Sequence, residues 1–275
     1  MRLEFAAPSS KLAGHISTYY LHGLDYPLIE DVERADVGYL RFMFSGSGYY
    51  KSRTGKETLS TPVMLLGPST QTVSYAVQGP LFAFGAVLLP EFWGGIIDMP
   101  ASALANVIVD AETILGADAR ACFEAMQGMD SIEDMARCVD ALLLPRIKPL
   151  PADHLETIGL IGAWLSQYPV PSTEVLYQRA SFSDRQVMRL ANRYFGASPK
   201  MLSRKFRALR TASRIIGSRG RLDEALFAEY ADQAHMAREV KQFTGMTPRA
   251  LQVTSNPIMQ VTLHPDNFRH DAPWT

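Results

Sequence analysis

Two different periods of apolar residues divide the chain. Up to about residue 100 the apolar positions come in short alternating or continuous runs. Tyr39-Leu40-Arg41-Phe42-Met43-Phe44 is one, and Pro62–Leu66, Thr72–Val77 and Leu81–Leu89 are others. Runs of this kind, bounded by glycine and proline, predict strands. Gly67-Pro68 and Gly79-Pro80 separate them, and Ser45-Gly46-Ser47-Gly48 predicts a hairpin turn. Short strands at this spacing suit a barrel or a sandwich. From about Ala101 the spacing lengthens to three and four. Cys122, Met126, Met135, Val139 and Leu142 fit helices, which Gly128–Ser131 splits in two. Pro145, Pro149 and Pro151 then mark a domain boundary. Helices and tight turns follow to about Gln252, and 253–275 is a tail, loosely ordered or laid back over a domain.

The helical segment repeats itself with an offset of 49. Ser183 pairs with Asp232, Arg189 with Arg238, Gly196 with Gly245, Ser198 with Thr247, and Pro199 with Pro248. Each copy has a capping residue, an amphipathic helix, a glycine suited to the left-handed terminal position, and a second cap followed by proline. The apolar faces are Val187, Leu190, Ala191 and Tyr194 in the first copy and Met236, Val240 and Phe243 in the second. A shorter helix is expected before each, Thr173–Gln178 behind the cap Ser172, and Leu222–Glu229. Helix, tight turn and second helix is the helix-turn-helix plan. A bridging helix from Pro199 to about Ile216 joins the copies.

The opposite faces carry the candidate chemistry. Arg185, Arg189 and Arg193 form one stripe, flanked by Gln186, Met188 and Asn192; Ala234, Arg238 and Lys241 form another, flanked by Gln233 and Ala237. Arginine pairs bidentately with guanine and glutamine with adenine, while small residues permit close approach to a groove. Arg185, Gln186, Met188, Arg189, Gln233, Ala234, Ala237 and Arg238 are therefore candidates for base contact. Ser183, Arg193, Lys200, Arg204, Lys205 and Lys241 are candidates for phosphate contact.

Charge sharpens this picture. The net charge is only -1, yet residues 1–171 carry 11 basic and 19 acidic side chains and residues 172–249 carry 15 and 7. An acidic body joined to a basic module points to an anionic partner for the module.

At this point the residues resemble a known family. Asp232-Gln233-Ala234-His235-Met236-Ala237-Arg238-Glu239-Val240-Lys241-Gln242-Phe243-Thr244-Gly245-Met246-Thr247-Pro248 resembles the C-terminal signature of AraC/XylS-type transcription regulators. Ser183-Asp184-Arg185 through Gly196-Ala197-Ser198-Pro199-Lys200 resembles that family's first helix-turn-helix. The resemblance implies base-facing roles for Arg185, Met188, Arg189, Gln233, Ala234, Ala237 and Arg238. The N-terminal part looks like the β-rich sensor domain of such regulators. The expected class is thus α+β. It comprises a β-rich, cupin-like barrel or sandwich domain with helices over 1–148, an all-α double helix-turn-helix domain over 151–252, and the tail. The partners implied are double-stranded promoter DNA, a small-molecule effector bound by the N-terminal domain, and a second copy meeting through the helices near 117–144. One departure stands out: Glu229 occupies a turn position where the family has glycine, which implies a weakened or reshaped second unit.

Enzymatic readings find less support. No Gly-Lys-Ser/Thr follows Ser45–Gly48, His15 and His22 lack companions at metal-ligand spacing, and no nucleophile elbow is present. No catalysis, metal or cofactor is expected. Tyr39, Phe42, Phe44, Tyr75 and Trp93 read as core, so no effector contact is singled out. The alternatives are a small-molecule enzyme, or an interaction protein, with an attached helical module. Two cysteines argue against a disulfide framework. The apolar stretch Leu81–Ile97 is broken by Pro90 and Glu91, and no charged leader opens the chain. A cytoplasmic protein, with no membrane partner, is the expectation.

Overall fold

Two long strands, β4 (Gly38–Lys51) and β7 (Val73–Leu88), organise the first half of the chain. The computed structural model describes residues 1–217, 229–254 and 257–264. β4 and β7 pair antiparallel, with register shifts between Met43 and Ser45 and between Ser45 and Ser47. The expected hairpin turn at Ser45–Gly48 is therefore a bulged bend inside one strand, and Gly79-Pro80 lies within β7 rather than between two strands. The cause is local. Gly46 adopts φ +85°, and a Cβ on Gly48 would fall 1.8 Å from the Ala76 carbonyl oxygen. Small residues here let two strands bend together instead of ending.

Bending gives β7 two sets of neighbours. β2 (Ile16–Leu24) pairs with its second half and β3 (Leu28–Glu33) with its first. β1 (Arg2–Ala6) pairs with β2. β5 (Glu57–Leu59) and β6 (Val63–Leu66) pair with opposite ends of β4, and β8 (Ile108–Asp110) pairs with β6. The path β1-β2-β7-β4-β6-β8 leaves β1 and β8 as edges, so the sheet is bent but not closed by hydrogen bonds.

Alternation sends successive side chains to opposite faces. Phe42, Val63, Leu65 and Phe84 join one core, while Met43, Met64, Leu66 and Ala83 join another. The first core is covered by α1 (Pro90–Gly95), the short α2 (Glu112–Leu115), α3 (Ala117–Met126) and α4 (Ile132–Leu143). The split of α3 from α4 falls where expected, with Gly128 at φ +80°. Tyr19 donates from its hydroxyl to Asp140 Oδ1 at 2.6 Å, tying α4 to β2.

The helical half contains α5 (Ala152–Ser166), α6 (Thr173–Arg179), α7 (Asp184–Phe195), α8 (Pro199–Gly217), α9 (Gln233–Thr244), α10 (Pro248–Gln252) and α11 (Pro257–Thr262). α8 serves two cores. Leu202 and Phe206 pack with α5, α6 and α7, whereas Leu209, Ala212 and Ile215 pack with α9, α10 and α11. Residues 222–228 of the expected helix, residues 255 and 256, and the tail beyond His264 lie outside the described residues. The tail up to His264 turns back: Met259 and Leu263 are buried, and Arg34 Nη2 donates to the Thr262 carbonyl at 3.0 Å. Among the described residues no helix is long and apolar enough to cross a membrane.

Candidate nucleic-acid interface

The repeat has a local structural meaning in both copies. Ser183 donates from its amide and hydroxyl to Gln186 Oε1, and the Asp232 carboxylate accepts from the His235 amide at 2.6 Å. At the other end Gly196 and Gly245 stand at φ +78° and +79°, the left-handed conformation that ends a helix cheaply only with glycine. Ser198 and Thr247 then cap α8 and α10 from their hydroxyls. α6, a tight turn and α7 make a complete helix-turn-helix, and α9 with α10 repeats its second part.

Both repeated helices meet the N-terminal half of the chain at their C-terminal ends. A Cβ on Gly196 would fall 2.5 Å from Pro68, and one on Gly245 would fall 2.7 Å from Val32. The Ala35 amide donates to the Phe243 carbonyl at 2.7 Å. Their N-terminal halves are left open: Arg185, Gln186, Met188, Arg189, Gln233, Ala234 and Arg238 are exposed, and Ala237 is half-buried. Arg185, Arg189 and Arg238 make no side-chain ion pair or hydrogen bond with any described residue. Gln186 is partly committed as the partner of the Ser183 cap.

The phosphate candidates divide. Ser183, Lys200 and Lys241 are exposed. Arg193 Nη2 donates to Asp98 at 3.2 Å, so its charge is answered within the chain. Lys205 must be corrected. It is only 2% exposed, and its ammonium donates to the carbonyls of Asp36 at 3.0 Å and Ser69 at 3.2 Å. Helical spacing alone placed it with its basic neighbours, but its position on α8 turns it toward the sheet. Burial, opposed in part by Asp36, pushes its pKa down to about 8. Arg204 is also engaged, donating to Glu239 at 2.6 Å and to Gln242 at 3.2 Å. Glu229 sits at the turn before α9; its carbonyl accepts from Arg207 at 3.2 Å, and its carboxylate hydrogen-bonds Tyr168.

Sequence reasoning missed a cavity of about 790 Å³ between the sheet and the helices. Its wall includes Tyr20, Tyr39, Tyr50, Tyr75, Leu81 and Val87 from the sheet, Lys205 and Leu209 from α8, and Ile258 from α11. Arg41 crosses the wall, paired with Glu33 at 2.7 Å and donating to the hydroxyls of Tyr20 and Tyr50. Tyr39 donates to Asp36 at 2.6 Å. Burial, then Arg41, pushes His22 down to about 4, so it lines this space as a neutral ring at pH 7. The alternation of β4 and β7 offered a signal, since Tyr39, Arg41 and Met43 share one face, but the span from β4 to α8 was not legible. Tyr39 and Tyr75 thus line the cavity, while Phe42, Phe44 and Trp93 belong to the core, as expected.

Other chemistry is sparse. Burial pushes the Cys122 thiol up to about 12, away from thiolate reactivity. Among the described residues no three His, Cys, Asp or Glu side chains gather as a metal-binding group.

These features define one complete helix-turn-helix among the described residues, followed by a second copy of its capped, glycine-closed helix, and joined to a bent antiparallel sheet. No protein-family model and no curated protein matches the chain. Among solved structures, ToxT from Vibrio cholerae aligns with a TM-score of 0.48 at 8% identity, over 93% of this chain and 100% of that one. ToxT from Vibrio cholerae O395 bound to (E)-4-(8-methylnaphthalen-1-yl)but-3-enoic acid gives 0.47 at 9% identity, over 92% and 100%. The AraC-like transcriptional activator CuxR gives 0.29 at 11% identity, over 72% and 78%. At identities this low, function has to be argued from this chain's own residues.

Proposed function

We propose that this chain is a sequence-specific, DNA-binding transcription regulator of the AraC/XylS type, working in the cytoplasm on double-stranded promoter DNA. The observation that carries the proposal is the matched exposure of α7 and α9. Each is capped, closed by a left-handed glycine, seated on the N-terminal half of the chain by its C-terminal end, and open at its N-terminal half. That half is the part of a recognition helix that touches base edges. Arg185, Met188 and Arg189 read one major-groove segment, and Gln233, Ala234, Ala237 and Arg238 read the next. Ser183, Lys200 and Lys241 contact phosphates. Residues 1–148 form the sensor domain and 151–252 the DNA-binding domain.

The cavity supports the second part of the proposal, a small-molecule effector. It is mostly apolar with a few fixed polar groups, the usual make-up of a ligand pocket. Because α8 and α11 complete its wall, an occupant touches the helical half as well as the sheet. The outer faces of α3 and α4, with Ala121, Ala125 and Ala141 exposed, remain the candidate surface for a second copy. Catalysis has no part in this reading.

Selection of bound duplexes from a randomised DNA library tests it. Enrichment of a motif with two parts about 10 base pairs apart is the expected outcome. Failure of the intact chain to enrich any sequence contradicts it.

A further inference from the structure

At one internal position only the second copy carries a charge. The residue 49 before Glu239 is Leu190, which is 1% exposed and packed among Ile158, Val187 and Leu202. Glu239 is just as hidden, at 2% exposure, yet it carries a carboxylate. Its Oε1 accepts from Arg204 Nε at 2.6 Å, and its Oε2 accepts from Arg207 Nη2 at 2.6 Å and Nε at 3.2 Å. Arg204 and Arg207 stand three residues apart on α8, so one carboxylate clasps a whole turn of the bridging helix. The His235 Nδ1 accepts from the Ala231 amide at 3.3 Å, which leaves its Nε2 hydrogen to face Glu239 Oε1 at 3.3 Å. Arg207 also donates to the Glu229 carbonyl and lies 4.7 Å from the centre of the Tyr230 ring. Every arm of the knot therefore ends on α8, on α9, or on residues 229–231 just before α9.

We infer that Glu239 is a positioning residue: its clasp on Arg204 and Arg207 sets the rotation of α9 about its own axis and so aims Ala234, Ala237 and Arg238 at their bases. The inference rests on the DNA-binding proposal and deepens it. Apolar contact of the Leu190 kind is non-directional and tolerates small rotations. A buried carboxylate held by two guanidinium groups has fixed hydrogen-bond directions and does not. Arg238 precedes Glu239 directly, about 100° round the helix, so a turn that moves one carboxylate moves the reading side chain with it. The clasp also explains why Arg204 is not a free phosphate ligand.

The test is duplex selection from a randomised library with the intact chain and with Glu239→Gln, which keeps the volume and removes the charge. The expected result is a loss of about tenfold in preference for the bases of the second half-site, about 1.4 kcal/mol, with the first half-site unchanged. Arg204→Gln, which opens one arm only, is the second variant; it shows the same one-sided loss to a smaller degree. A lost phosphate contact behaves differently, weakening all sequences alike and reducing the salt slope by about one. Thermal unfolding of each variant accompanies the selection. Retention of both half-sites by both variants, or equal loss of both, overturns the positioning role. A wild-type chain that enriches no motif overturns the DNA-binding proposal itself and this inference with it.

Discussion

The first and second copies of the repeat reach the same outward form by different internal means. α7 rests on apolar contacts: Val187, Leu190, Ala191 and Tyr194 face a core shared with α5, α6 and α8. α9 has its own apolar side in Met236, Val240 and Phe243, but adds the clasp of Glu239 on Arg204 and Arg207. An apolar interface stabilises in proportion to the area it hides, whatever the angle. A clasped carboxylate repays its desolvation only in one arrangement. The comparison teaches that duplicated helices can share caps, glycines and exposed arginines while being fixed with unequal strictness.

The largest effect expected is on the apolar side of this contrast. Leu190→Ala leaves a cavity in a closed core and costs about 2–5 kcal/mol of stability, read from the shift of the urea midpoint at unchanged slope. A shift near zero shows that α7 is not held as described. Next, Arg189→Ala and Arg238→Ala each cost about 1–3 kcal/mol of specific binding in an anisotropy titration, each against its own half-site. Loss of the same base preference in both variants breaks the assignment of one helix to one half-site.

An effect confined to alkaline pH concerns Lys205, which joins α8 to the sheet. Its folded pKa near 8 lies below the ordinary lysine value of 10.5. Between those values the folded chain holds fewer protons than the unfolded one, so this group makes stability rise with pH, by up to about 1.4 kcal/mol per unit. Below about pH 8 it is charged in both states and contributes no slope. Lys205→Met removes the rise, and urea unfolding of both proteins at neutral and alkaline pH measures the difference. The smallest effect belongs to the exposed lysines. Lys200→Ala and Lys241→Ala each lower the log–log salt slope of DNA binding by about one while leaving the selected motif unchanged. A changed motif moves them from phosphate to base contact.

The legible parts of the molecule were those set by local chemistry. Caps, closing glycines and the prolines after them lie within a few residues of each other, so Ser183, Gly196, Asp232 and Gly245 announced their helices. The break at Gly128 announced itself in the same way. What was hidden depends on contacts across the chain. Ser45–Gly48 reads as a turn until β7 is seen running beside it. Lys205 reads as one of a row of basic residues until α8 is laid against Asp36 and Ser69. Nothing local marks Glu239 as buried, because its partners Arg204 and Arg207 arrive from 35 and 32 residues away.

Guanine methylation protection on a selected duplex tests most directly whether α7 and α9 enter the DNA side by side. The account predicts protected guanines in two neighbouring major-groove segments about one helical turn apart. Arg189→Ala erases one segment and Arg238→Ala the other. Protection confined to a single segment, or both segments vanishing with either substitution, contradicts it.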